Sequence, residues 1–230
     1  MVTSITPDDH ARITAAIQAA EAKTSGEVFC VLAHRVSSYR DVSLGWAAAA
    51  ALIAPLLLIP LGFEPAWVPG VADGWEAAQL AARDATVAST LGAYAVIQSA
   101  VFVAVFVLTS IPTVKRWVTP RPVRRARVRR AALQQVLAHG LHNTPRRTGV
   151  LIFAALEDRQ VEIIADEGIH SRVDQSVWAD AVDALTIALR ADRPAEGFEA
   201  AIAAVGDVLA DHFPPNPFEP DLLADRLVEM

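Results

Sequence analysis

Two stretches without a single charged residue constrain this chain more than anything else in it. From Leu44 to Gly62 it reads LGWAAAAALIAPLLLIPLG, and from Leu91 to Pro112 it reads LGAYAVIQSAVFVAVFVLTSIP. Each is close to the ~20 apolar residues a helix needs to cross the hydrocarbon of a bilayer. The alternative is a pair of wholly buried core helices, but a chain of 230 residues has too little other mass to cover two such helices on every side. The sequence therefore predicts a transmembrane hairpin over residues 44–112, with a loop at about 63–90 on the far side. Pro55 and Pro60 fall inside the first block and predict a kink, which neighbouring helices make tolerable in a membrane.

The charges beside these blocks predict an orientation. After the second block come Lys115, Arg116, Arg121, Arg124, Arg125, Arg127, Arg129 and Arg130, whereas the intervening loop has Glu64, Asp73, Glu76 and Asp84 against Arg83. Positive flanks stay on the cytoplasmic side. The expected topology is a two-pass protein of the cell (inner) membrane with both termini cytoplasmic. Lys115, Arg116, Arg121, Arg124 and Arg125 are expected to meet anionic headgroups of the lipid bilayer. Trp67 and Trp75 read as interfacial anchors around a short helix at Gly74–Val87. A formal charge of −6 argues against a nucleic-acid partner, which calls for a basic surface. The opening Met1-Val-Thr-Ser-Ile-Thr has neither a basic region nor an apolar core, so no cleaved signal peptide is expected. Cys30 is the single cysteine. It offers no intramolecular disulfide partner and no thiolate cluster, and reads as a buried strand residue.

The rest of the sequence predicts one α/β domain split by the hairpin, in segments 1–43 and 113–213, with a tail at 214–230. Thr6-Pro7-Asp8-Asp9 supplies an N-cap hydroxyl, a proline at the first helical position and acids in the first turn; a helix then runs to about Lys23. Gly26 ends it, and Val28–Ala33 is a continuous apolar run suited to a strand covered on both faces. Pro120 to His139 alternates apolar and arginine faces and closes at Gly140, which predicts an amphipathic helix. Gly149–Leu156 and Val161–Asp166 flank the polar Glu157-Asp158-Arg159-Gln160 and predict a β-hairpin. Helical spacing returns from Asp174 to about Arg190 and from Pro194 to about Phe213. In the tail, Leu222, Leu223, Leu227 and Val228 read as a segment that docks back or binds a partner.

This order of elements resembles the TPM-domain family. The segments that carry the resemblance are Glu21-Ala-Lys-Thr-Ser-Gly-Glu-Val-Phe-Cys-Val-Leu and Arg147-Thr-Gly-Val-Leu-Ile-Phe-Ala-Ala-Leu-Glu-Asp-Arg-Gln-Val-Glu-Ile-Ile-Ala-Asp-Glu-Gly-Ile. The resemblance implies a compact α/β/α sandwich on a short mixed sheet, often tied to membranes and to the maintenance of membrane complexes. It also implies phosphatase-like chemistry or binding of a divalent cation such as Ca or Mg, as described for some members. Asp158 and Arg159 match the family's Asp-Arg at the hairpin turn. Where the family has Asp-Asn-Gly before the middle strand, this chain has Arg147-Thr148-Gly149, which removes a carboxylate and an amide oxygen from the set a hard cation would use.

Asp158, Arg159 and Asp166 are thus the catalytic candidates, and Asp158, Asp166 and Glu167 the metal candidates, since loops at the ends of such a sheet commonly hold functional groups. His139 and His142 are spaced as a metal pair would be on a helix, but Gly140 lies between them. Two functions follow. One is an interaction or maintenance module for another membrane protein; the other is a phosphatase-like, cation-dependent enzyme.

Overall fold

The computed structural model describes residues 5–58, 82–141, 146–216 and 225–230. The expectations that fall on Pro60, Trp67, Trp75, His142, Leu222 and Leu223, and on the first part of the helix at Gly74–Val87, lie outside the described residues. Two compact units are present. One comprises Met1–Ser38 with Arg121–Met230, and the other Tyr39–Pro120.

In the first unit, α1 (Pro7–Glu21) opens with the capping box the sequence suggests. Thr6 accepts from the Asp9 N–H at 3.2 Å, and Asp9 in turn accepts from the Thr6 N–H at 3.0 Å. Two orphan donors of the first turn are thereby satisfied. Strand β1 (Glu27–Ala33) follows. Then come helix α5 (Arg121–Ala138), strand β2 (Gly149–Ala155) and strand β3 (Gln160–Ala165), while α2 to α4 form the second unit. The chain continues through α6 (Glu167–His170), a 3-10 turn at Gln175–Trp178, α7 (Ala179–Arg190), α8 (Pro194–His212) and β4 (Leu227–Glu229). Gly140, where α5 was expected to close, adopts φ 67°, the left-handed conformation that suits a helix end.

The four strands lie in the order β3-β2-β1-β4. β1 is parallel to both β2 and β4, and β2 is antiparallel to β3, so the sheet is mixed. Side chains alternate between its faces. Val28, Cys30, Leu32, Val150, Ile152 and Ala154 pack with α1, α7 and α8. Phe29, Val31, Leu151 and Phe153 face Val128, Ala131 and Ala132 of α5. The result is an α/β/α sandwich in which β1 and β2 are covered on both sides, as their unbroken apolar runs require. β4 is the element the sequence did not resolve. It is the docking segment foreseen in the tail, realised as an edge strand over Cys30–Leu32.

The second unit contains α2 (Arg40–Leu58), α3 (Ala82–Ser110) and α4 (Pro112–Val118). The unit runs over Tyr39–Pro120, and α3 begins at Ala82, within the stretch Gly74–Val87 that reads as a short helix from sequence. The Trp46 indole N–H donates to Val118 O at 3.1 Å, which ties α4 to α2. The buried face of α2 is Ser43, Ala47 and Ala51, small residues four apart that let two helices approach closely. The Ser43 hydroxyl donates to Thr109 O at 3.1 Å across the pair. Large apolar side chains point outward, among them Leu52 at 67% and Leu56 at 66% exposed. Two helices are long and apolar enough to cross a membrane, Arg40–Leu58 and Leu91–Ser110, and their most apolar 18-residue stretches are only 11% and 6% buried. Such low burial does not fit the core-helix alternative.

Candidate functional site

The candidate residues sit on the β2–β3 hairpin, and the fold divides them. Leu156–Arg159 forms the turn, closed by the Arg159 N–H donating to Leu156 O at 3.2 Å, with Arg159 at φ 50°. Asp158 is 7% exposed and partnered within the protein, so it is part of the turn's internal structure. Arg159 reaches toward Asp192, with 3.8 Å between Nη2 and Oδ1.

Asp166 and Glu167 lie at the opposite end of β3. A strand of six residues, Gln160–Ala165, separates them from the turn by roughly 20 Å at about 3.4 Å per residue. Asp158 and Asp166 therefore do not form one site, contrary to their grouping as candidates from sequence. Asp166 caps α6 by accepting from the Glu167 N–H at 2.7 Å through Oδ1, while its Oδ2 is buried without a hydrogen bond. Glu167 is ion-paired with Arg147.

That pairing explains what the Arg147-Thr148-Gly149 segment does here. Arg147 has φ 54°, and Gly168 packs so tightly beneath this loop that a Cβ would lie 2.2 Å from Arg146 O and 2.6 Å from Arg147 O. Thr148 is 3% exposed and donates its hydroxyl to Ser25 O at 3.2 Å. The loop thus joins β1 and β2 through a buried hydroxyl and puts a guanidinium beside Glu167, where a cation would otherwise be attracted. Among the described residues, no group of three His, Cys, Asp or Glu side chains is arranged to hold a metal ion. His139 is not poised as a ligand; its ring packs on Phe29 at 4.5 Å between centroids. Cys30 is buried, and desolvation, reinforced by the charge of Glu21, pushes its thiol pKa up. A thiol in this state is not a nucleophile.

One polar cluster escaped the sequence reading. His10 Nε2 of α1 is 2.6 Å from Glu229 Oε1, and His34 Nε2 after β1 is 3.0 Å from Oε2. Partial burial would raise the Glu229 pKa, but the bonds to His10 and His34 outweigh it and hold the carboxyl below its usual range. The cluster clips β4 to the sheet. Nothing local marks it, since the partners are separated by 219 and 195 positions.

The basic residues divide between the units. Lys115 and Arg116 belong to α4, where Lys115 Nζ is 5.8 Å from the Tyr39 ring centroid. Arg121, Arg124 and Arg125 open α5. Arg116, Arg121 and Arg125 are exposed, and Lys115 and Arg124 are half-buried.

Residues 116–208 match the family model of the TPM domain. No curated protein matches the chain in sequence. The NMR structure of the BA42 protein from the psychrophilic bacterium Bizionia argentinensis is similar in fold, with a TM-score of 0.56 at 17% identity, covering 99% of this chain and 97% of that one. The matched segment runs through α5, both strands of the hairpin and most of α8, so residues 116–208 of this chain are a TPM domain.

Proposed function

We propose that this protein is a membrane-anchored TPM domain that serves as an interaction or maintenance module for a membrane protein complex. The observation that carries the reading is the contrast between α2 and α3, whose most apolar 18-residue stretches are 11% and 6% buried, and a domain whose candidate acids are spent on its own structure. Asp158 is internal to a turn, Asp166 caps a helix and Glu167 is held by Arg147. Outward-facing apolar helices suit a bilayer as solvent. The arginines that follow α4 support a cytoplasmic domain resting near anionic headgroups, with both termini on that side.

The test pairs two measurements on the detergent-purified full chain. Cross-linking in the native membrane before purification is expected to return a membrane protein in fixed ratio. Hydrolysis of a generic phosphomonoester, with and without Mg or Ca, is expected to give the same near-zero rate for the natural chain and for Asp158→Asn. Cation-dependent turnover that Asp158→Asn abolishes would replace this reading with the phosphatase-like one.

A further inference from the structure

Strand β3 is a sheet edge, and among the described residues no strand pairs with its free side. Hydrogen bonding fixes which of its backbone groups point outward. The Asp166 N–H donates to Gly149 O, and the register pairs Ile164 with Leu151 and Glu162 with Phe153. Antiparallel pairs alternate between bonded and non-bonded, so Glu162 and Ile164 turn their N–H and C=O groups to β2. Val161, Ile163 and Ala165 turn theirs away. β2 agrees with this parity: Thr148 O accepts from the Glu27 N–H and the Leu156 N–H donates to Ala33 O. Even-numbered residues there face β1 and odd-numbered ones face β3.

The open edge forms the floor of two adjoining clefts. One, of about 400 Å³, is lined by Val161, Ile163, Arg125, Trp178 and Val182, and the next, of about 260 Å³, by Ile163, Ala165, Arg129 and Trp178. Gln160 also lines the first cleft, and its Oε1 is buried without a hydrogen bond. An acceptor left in that state is costly, and a donor from an added strand would satisfy it.

The two walls differ in character. On the α5 side, Arg125 and Arg129 approach Glu162 at 3.8 Å and 3.5 Å, two cations to one acid, with side chains 80% and 52% exposed. On the other side stand Trp178, Ala179 and Val182, with Gln175 and Asp183 beside them. Successive side chains of an added strand point to alternate faces. One set would meet the arginines and the other the apolar wall.

We propose that this edge is a strand-addition site for an extended segment of a partner protein in which acidic and apolar residues alternate. The inference deepens the interaction-module reading and rests on it. Backbone hydrogen bonds to Val161, Ile163 and Ala165 supply affinity, and alternation supplies selectivity. Arg125, counted from sequence among the headgroup contacts, is assigned here to the cleft.

The test uses the isotope-labelled full chain in nanodiscs and a short synthetic peptide alternating glutamate with valine. Its binding is expected to shift the amide signals of Val161, Ile163 and Ala165 and protect them from exchange. Replacing the glutamates by lysine is expected to weaken binding at least about tenfold, because repulsion replaces attraction at two arginines. N-methylating the residues that face β3 is expected to abolish it. On the protein, Arg125→Gln with Arg129→Gln is expected to weaken binding roughly three- to tenfold, the scale of two exposed ion pairs. Ala165→Pro is expected to weaken it as well, since it removes an outward N–H without breaking the ladder to β2.

Absence of binding, equal binding of the lysine peptide, shifts confined to other surfaces, or self-association of the chain through β3 would each overturn the proposal. A cross-linked membrane partner retained undiminished by Ala165→Pro would overturn the groove while leaving the interaction-module reading in place. Loss of every cross-linked partner from the natural chain would instead remove that reading itself.

Discussion

The two units use much the same apolar residues and place them in opposite ways. In the α/β unit, Leu151, Ile152 and Phe153 are fully buried between helix layers. In the hairpin unit the large side chains face out, and the helices meet through Ser43, Ala47 and Ala51 with one hydroxyl-to-carbonyl bond. Burial of apolar area drives the first arrangement in water. It drives nothing between helices in hydrocarbon, where close packing and hydrogen bonds take over. On the proposed membrane reading, one chain is fitted to two solvents, and the placement of bulk records which is which.

The comparison breaks most visibly on truncation. Phe153→Ala is expected to destabilise the α/β unit by about 3–5 kcal/mol, read as a fall in the denaturant midpoint of its unfolding. Leu56→Ala on the hairpin, 66% exposed, should leave that midpoint unchanged. Equal effects would mean that the two units share one core.

Charge sharpens it next. Val103 and Leu137 are 58% and 67% exposed, yet only Val103 sits on a helix apolar enough to span a bilayer. Val103→Arg is expected to cost about 2.5–3.5 kcal/mol of membrane insertion and to move protein from the membrane fraction into the soluble or degraded one. Leu137→Arg should stay within about 0.5 kcal/mol of neutral, with no redistribution.

Glycines separate the units more finely. Gly168→Ala forces a Cβ onto two backbone carbonyls that cannot swing aside, and should lower stability by about 1–3 kcal/mol. A Cβ on Gly92 meets nothing within 4 Å, so Gly92→Ala should cost nothing measurable in the same assay.

The smallest effect concerns pH. The folded Glu229 carboxyl is held below its usual range, so its contribution is present above the unfolded carboxylate pKa of about 4.3 and is lost as pH falls through the lower folded value. The groups facing it are partly exposed, which keeps the contribution under about 1 kcal/mol. Exchange of the Leu227–Glu229 amides should accelerate in Glu229→Gln relative to the natural chain at neutral pH. The difference should shrink as pH falls below the unfolded carboxylate range and through the lowered folded pKa.

What could be read from the sequence were features with local signals: the capping box at Thr6, the hairpin at Gly149–Ala165, the helix closing at Gly140 and the two uncharged blocks. β4 could not be read, because three residues have too little pattern of their own. They become a strand only through register with Cys30–Leu32 and through His10 and His34, which lie far away in the chain. The candidate site was half legible. The residue types and the turn were recognisable, and the length of the strand between Asp158 and Asp166 already implied that they stand at opposite ends of the sheet. The capping role of Asp166 and the pairing of Glu167 needed the folded loop, since Gly168 and Arg147 meet only there.

Whether the hairpin anchors the chain in a membrane is decided by washing isolated membranes with alkaline carbonate. The full chain is expected to stay with the pelleted membranes and to be released only by detergent. Recovery in the carbonate wash as a soluble protein would contradict it.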